Sequence, residues 1–293
     1  MENFTELIGK NLKSIRQLQK MTQQEVSDQI CTQAMLSKIE NGQCSPTIEM
    51  VYLLCRRLNI EVSTLVRQSL SERSDYIDEV LFQLKKAAME RNYEEIKQII
   101  TVESKTALAK LPSYQKILIW YEAIYLFYIN KDYENCFEKI DAALSVDNFV
   151  NKLSIIDIEI LITKANFYTD LERYNEAINL YKEIETHIKS IPENINLNII
   201  IKIYYNFSRV YRLKQNLQDS VDYCLKGINK CLNSQSMYLL GDLYFQLGKN
   251  QHDLNKFEAS IDSFEYALTI YKIKENQRMI DITKKNLERL KPD

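Results

Sequence analysis

Apolar residues recur near the start of this chain at the three- and four-residue spacing of a helix that buries one face. Leu7, Ile8, Leu12, Ile15 and Leu18 form one stripe, and Val26 with Ile30 a shorter one. Met35, Leu36 and Ile39 form a third, while Ile48, Met50, Val51, Leu54 and Leu58 form a fourth. Leu65 and Val66 belong to a last short turn. Polar residues mark the ends. Glu25 follows Thr22 by three positions, a pairing in which each side chain satisfies a backbone N–H that the helix start leaves open. Thr32 opens the next helix and Asn41-Gly42 closes it with two residues that tolerate a left-handed backbone. Ser45-Pro46-Thr47 opens the fourth helix and Ser63 caps the fifth.

The stretch from Thr22 to Gly42 therefore predicts two short helices joined by a tight turn at Cys31, a helix-turn-helix inside a compact five-helix domain over residues 1–66. Gln33, Ala34, Ser37 and Lys38 lie off the apolar face of the second helix. A recognition helix presents such N-terminal residues to base edges in the major groove. Thr32 and Gln23 would then stand near phosphates, making six candidate DNA-binding residues. No basic field assists them: seven Lys and Arg face seven Asp and Glu in residues 1–66, so phosphate contact falls to helix N-termini and polar side chains.

From Tyr76 onward the apolar pattern repeats with a period near forty. Five segments stack in register: RNYEEIKQII, KDYENCFEKIDAAL, ERYNEAINLYKEI, QNLQDSVDYCLKGI and NKFEASIDSFEYAL. Their anchors Tyr93, Tyr133, Tyr174, Leu217 and Phe257 are spaced 40, 41, 43 and 40 apart. Small residues follow the last four anchors by three positions, at Cys136, Ala177, Ser220 and Ser260, where they allow paired helices to approach. Pro112 and Pro192, 80 residues apart, fall where helical pairs should end. We read five helical pairs and a capping helix from Asn276 to Leu290, with Arg67 to Asp75 as a linker helix and residues 76–293 as the repeat domain.

Composition agrees with an all-α chain of about two domains: five glycines and four prolines in 293 residues leave few tight turns. The net charge of −2 argues against bulk affinity for nucleic acid or membrane. No apolar run approaches the roughly twenty residues that cross a bilayer, and MENFTELIGKN lacks a secretory core, so a cytoplasmic protein with no membrane partner is expected. The six cysteines form no C-x-x-C pair and read as small apolar residues of a reducing compartment. His187 and His252, 65 residues apart, have no carboxylate-rich surroundings of metal-ligand spacing. No nucleophile and base, no phosphate-cradling loop and no catalytic carboxylate pair stands out, so neither an enzyme, a metal nor a cofactor is expected.

Residues 5–66, with IGKNLKSIR, MTQQEV, LSKIENG, SPTIEMV and LNIEVSTLV in order, resemble the repressor-type helix-turn-helix domains of the Xre and lambda-repressor superfamily. The turn Ile30-Cys31-Thr32-Gln33 is one residue shorter than the commoner pattern. Tyr244, Leu247 and Gly248 precede Phe257 at the spacing of the tetratricopeptide repeat, whose right-handed superhelix typically binds an extended peptide on its inner wall. Projecting that frame places Lys85, Tyr121, Glu122, Tyr125, Tyr128, Asn166, Lys202, Tyr205, Asn206, Arg209, Gln246, Lys249 and His252 on or near the wall. Asn166 and Asn206 are polar residues inside apolar runs, and a carboxamide grips a peptide backbone with one donor and one acceptor. An interhelical hydrogen bond would explain each of them equally well, and most of the nineteen tyrosines belong to packing.

The two parts together resemble the RNPP family (Rgg, Rap, NprR, PlcR, PrgX), and its PlcR branch above all. The resemblance implies a quorum-sensing transcription regulator: a homodimer paired through its repeats, reading a palindromic site on double-stranded DNA, switched by a short re-imported signalling peptide. Two other readings stay open, a Rap-like protein acting on a response regulator and a general scaffold for protein partners. The capped helix from Thr32 to Glu40 speaks against the former, and the N-terminal domain is left unexplained by the latter.

Overall fold

The computed structural model describes residues 4–146, 153–189 and 197–290, with the side chains of Phe4, Lys189 and residues 67–74 outside the description. Pro192 also lies outside the described residues. Among those described, helices account for every regular element. The chain divides into two compact units, residues 1–99 and 100–293.

In the first unit, α1 (Phe4–Leu18), α2 (Gln23–Ser27), α3 (Gln33–Glu40) and α4 (Ile48–Arg57) surround a core of Ile8, Leu12, Val26, Leu36, Ile39, Val51, Leu54, Leu58 and Leu65. The caps stand where the polar pattern places them. The Thr22 Oγ1 accepts from the Glu25 N–H while the Glu25 carboxylate accepts from the Thr22 N–H, and Thr32 and Thr47 cap α3 and α4. Gly9 lies where α1 and α3 touch most closely. A Cβ there would stand 2.0 Å from the Ile39 carbonyl oxygen, so only glycine fits.

The expected short fifth helix is instead the start of α5, Val62–Glu90. Its N-cap is Glu61 and not Ser63, and it makes no side-chain cap hydrogen bond. Neither Gly nor Pro interrupts those 29 residues, so nothing stops the helix at Val66. The expected linker at Arg67 to Asp75 lies within this helix, most of its side chains outside the description. After α5 comes α6 (Tyr93–Glu103), whose last turn belongs to the second unit.

The second unit is a run of antiparallel pairs: α7 (Pro112–Tyr125) with α8 (Tyr133–Ser145), α9 (Ile155–Asp170) with α10 (Tyr174–Lys189), α11 (Leu197–Leu213) with α12 (Leu217–Asn233), and α13 (Leu240–Asp253) with α14 (Phe257–Ile273). The closing helix α15 spans Gln277–Leu290 and packs on α14. Every anchor residue is the first residue of its helix: Tyr93, Tyr133, Tyr174, Leu217 and Phe257 begin α6, α8, α10, α12 and α14. The small residue three positions later is where the paired helices meet. The Ser220 hydroxyl donates to the Ser208 carbonyl at 2.6 Å, and Ser260 donates to Gly248 at 2.8 Å, so two pairs share one hydrogen bond at one repeat position. Pro112 occupies the first turn of α7, where a missing N–H costs nothing.

After α5, α9, α11 and α13 the chain reverses through a left-handed residue at Arg91, Glu172, Gln215 and Asn255, each followed by a backbone hydrogen bond that closes the previous helix. These bonds run from Asn92, Arg173, Asn216 and Lys256 to the carbonyls of Ala87, Tyr168, Tyr211 and Gln251. After α7 the left-handed residue is Lys131, but the helix end first widens into a π-helical turn at Leu126–Asn130, and the Asp132 N–H donates to the Leu126 carbonyl. That turn carries Phe127, which stacks on Phe167 with ring centroids 4.1 Å apart, and Tyr128.

Candidate functional site

Two regions carry chemistry, one in each unit. In the first, a buried carboxylate fixes α3. Glu40, at the end of α3, accepts from Arg16 of α1 and from the Gln23 carboxamide at 2.8 Å. Arg16 also donates to the Met21 carbonyl at 2.9 Å, tying α1 to the approach to α2. One of the two amide hydrogens of Gln23, a candidate phosphate contact, is thus committed inside the domain. Burial pushes the Glu40 carboxyl up, but the hydrogen bonds from Arg16 and Gln23 outweigh it and leave it below the ordinary range.

On this frame Thr32, Gln33, Ala34 and Lys38 are exposed and Ser37 is half-buried. Gln33, Ala34, Ser37 and Lys38 are spaced one turn apart along α3, which places their side chains on one flank, opposite buried Leu36 and Ile39. The Thr32 hydroxyl oxygen accepts from the Met35 N–H, so it shapes the helix end as well as facing solvent. The Arg57 guanidinium donates to the Glu25 and Asp28 carbonyls and holds the end of α2. Sequence reasoning left Arg16 and Glu40 without a role, since their partnership spans 24 positions and no local pattern encodes it.

In the second unit the inner helices are α7, α9, α11 and α13. Counting back from each anchor, Tyr125, Asn166, Arg209 and Lys249 share one repeat position, eight residues before. Glu122, Thr163, Asn206 and Gln246 share another, eleven before. Equivalent positions of stacked pairs align into rows, so these residues make two rows along the first helices of the four pairs.

Their partners differ. The Asn166 Oδ1 accepts from the buried Tyr181 hydroxyl at 2.8 Å. Asn206 is 6% exposed, and its Nδ2 has no hydrogen-bond partner. Gln246 is 7% exposed in the same row. Asp170, at the end of α9, accepts from the Tyr128 hydroxyl at 2.8 Å and from Arg209. Burial pulls the Arg209 guanidinium down, but Asp170 more than restores it. Arg212 donates in the same way to Asp253, which also contacts His252 at 3.2 Å. Glu122 accepts from Lys139 of α8 at 2.9 Å.

The remaining candidates are less uniform. Tyr121 is 2% exposed and packs beside Trp120, inside the helix layers and away from the wall surface. Tyr125, Tyr205 and Lys202 are half-buried, and burial pushes the Tyr205 phenol up. Lys85 stands on α5, in the first unit. Among the described residues no group of His, Cys, Asp and Glu is placed to hold a metal ion, and no helix is long and apolar enough to cross a membrane.

Comparison with known proteins matches both units. Residues 12–65 match a helix-turn-helix family, and residues 82–290 match the RNPP family C-terminal domain. No curated protein matches the sequence. Among solved structures, Bacillus thuringiensis PlcR in complex with the peptide PapR7 and DNA is 23% identical, with a TM-score of 0.81 covering 98% of this chain and 100% of that one. ComR from S. thermophilus, in complex with DNA and its signalling peptide ComS, is 17% identical with a TM-score of 0.64, covering 97% and 99%. The SHP pheromone receptor Rgg2 of Streptococcus dysgalactiae is 16% identical with a TM-score of 0.65, covering 96% and 99%. These likenesses are of fold. The C-terminal match spans well over half of the sequence, and on that ground the chain belongs to the RNPP family.

Proposed function

We propose that the protein is a cytoplasmic transcription regulator that binds a palindromic DNA site as a homodimer and is switched by a short signalling peptide held on the inner wall of its repeats. Asn206 carries the reading. A buried carboxamide donor without a partner is costly unless something supplies an acceptor, and an extended peptide brings a carbonyl every residue. Asn166 and Gln246 flank it on neighbouring inner helices, a spacing suited to a peptide lying across the pairs. The DNA half rests on the exposed flank of α3, where Gln33 and Lys38 offer directional donors and Glu40 holds the helix in place. The PlcR and ComR structures contain both DNA and a peptide, which supports assigning both ligands to one chain here.

The test is selection of a DNA site from a random pool, followed by gel shift with and without short peptides encoded beside the gene. A selected site with two inverted halves, whose occupancy changes with one peptide, is the expected result. Light scattering of the full chain should give twice the chain mass. Failure to select any site, or a site indifferent to every peptide, refutes the reading.

A further inference from the structure

Among the described residues, Lys249 on the inner wall has no carboxylate bonded to it. Arg209 and Lys249 occupy the same position in successive pairs, yet Arg209 is gripped by Asp170 while Lys249 makes no hydrogen bond or ion pair among the described residues. Its Nζ lies 5.7 Å from the centroid of the Phe245 ring. The reason lies in the preceding repeat. The carboxylate one turn beyond Lys249 is Asp253, which is taken from the side by Arg212 of α11. Arg212 itself is not satisfied by that pair: its Nε is buried with no partner. Asp253 thus bonds Arg212 while Lys249 stands only within its field, and donors on both cations are left over.

Charged groups left this way are expensive to keep half out of water. Burial pulls the Lys249 ammonium below its ordinary value, Arg212 pulls it further, and Asp253 opposes them only in part. A second anion would relieve both cations. We propose that Lys249, together with the Nε of Arg212, is the receptor for a carboxylate of the peptide bound along this wall, and that Arg209 is not. The inference rests on the peptide reading of the wall. The sequence frame places Arg209 and Lys249 on the wall alike, and the ion pair with Asp170 is what separates them. The carboxylate comes from either the peptide's C-terminus or an Asp or Glu side chain.

The probes are three pools of random heptapeptides offered to the full-length protein: free C-terminus without Asp or Glu, amidated C-terminus with Asp and Glu, and amidated C-terminus without either. Retained peptides are identified by mass spectrometry and their affinities measured by calorimetry. The native protein should retain one of the first two pools and reject the third by about ten- to a hundredfold in affinity, the range of a charge-assisted hydrogen bond. Which of the two it retains identifies the source. In Lys249→Met and in Lys249→Gln the third pool should bind as well as the retained one, and Lys249→Arg should restore the discrimination. Two neutral variants guard against one failing to fold. Native-like discrimination by either folded variant overturns the carboxylate receptor while leaving peptide binding intact. If the native protein retains none of the three pools, the peptide reading of the wall falls and the receptor falls with it.

Discussion

Arg16 grips Glu40 with two parallel hydrogen bonds, Nε to Oε1 at 2.6 Å and Nη2 to Oε2 at 2.9 Å, and thereby clamps α1 to the end of α3. Their side chains are 11% and 1% exposed, so neither partner is well solvated if the other is removed. Glu40→Ala should cost the N-terminal unit about 3–5 kcal/mol, the usual result of stranding one half of a buried pair. Chemical denaturation followed by circular dichroism measures it. A loss below 1 kcal/mol would show that the pair is not what positions α3.

The same pair sets an acid limit. The Glu40 carboxyl titrates below its ordinary value because its hydrogen bonds to Arg16 and Gln23 outweigh burial. A depressed carboxylate contributes stability that is present above the unfolded value of about 4.3 and is lost as pH falls through the folded value. The melting temperature should therefore drop as pH goes below about 4.3, and Glu40→Gln should flatten part of that drop. Identical pH profiles for the two proteins would count against this origin.

At the reading helix, Gln33→Ala and Lys38→Ala should each weaken binding to the selected DNA site by about 1–3 kcal/mol, with little effect on folding because both side chains are exposed. Fluorescence anisotropy on the selected duplex and on one scrambled in the half-sites separates lost base reading from lost phosphate contact.

Asn166 and Asn206 should behave differently, although sequence reasoning pairs them. Asn166→Ala leaves the buried Tyr181 hydroxyl without its acceptor, so it should lower stability by about 1–3 kcal/mol as well as weaken peptide binding. Asn206→Ala deletes a donor that already has no partner, so stability should hold or rise while peptide binding falls by a similar amount. Thermal melts of both variants with and without peptide make the comparison.

Gly9→Ala should destabilise the N-terminal unit by about 3 kcal/mol or more, above the usual range for overpacking, because the obstacle is the Ile39 backbone carbonyl and not a side chain that can swing aside. Near-native melting of that variant would mean that α1 and α3 can separate freely.

What the sequence made legible was whatever is written locally. The Thr22 and Thr32 caps and all five anchors are set by spacings of a few residues, and each is found at its expected helix end. The rest depends on partners far along the chain. Glu40 reads as an ordinary acid in a last helical turn until Arg16 is seen beside it. Asn166 looks like Asn206 until Tyr181, 15 residues on, claims its oxygen. Lys249 looks like Arg209 until Asp170 is found on one and not the other. The fifth helix is not short, because a cap signal at Ser63 starts nothing when the helix already runs from Val62.

The reversals that end the helices also bear on heat tolerance. Glycine usually occupies the left-handed position that closes a helix, yet here it is Lys20, Gln29, Asn59, Arg91, Lys131, Glu172, Gln215, Gln235, Asn255 and Glu275, with Gly42 alone following the rule among the helix ends described. A side chain in that conformation costs roughly 1–2 kcal/mol, less for asparagine, part of which glycine would return as chain entropy in the unfolded state. None of these positions belongs to the reading helix or the inner wall. Glycine at Arg91, Glu172 and Gln215 should therefore raise the melting point by a few degrees at each site without touching either ligand. The architecture thus leaves room for a higher melting point, held at residues that turn the chain away from both the α3 flank and the inner wall.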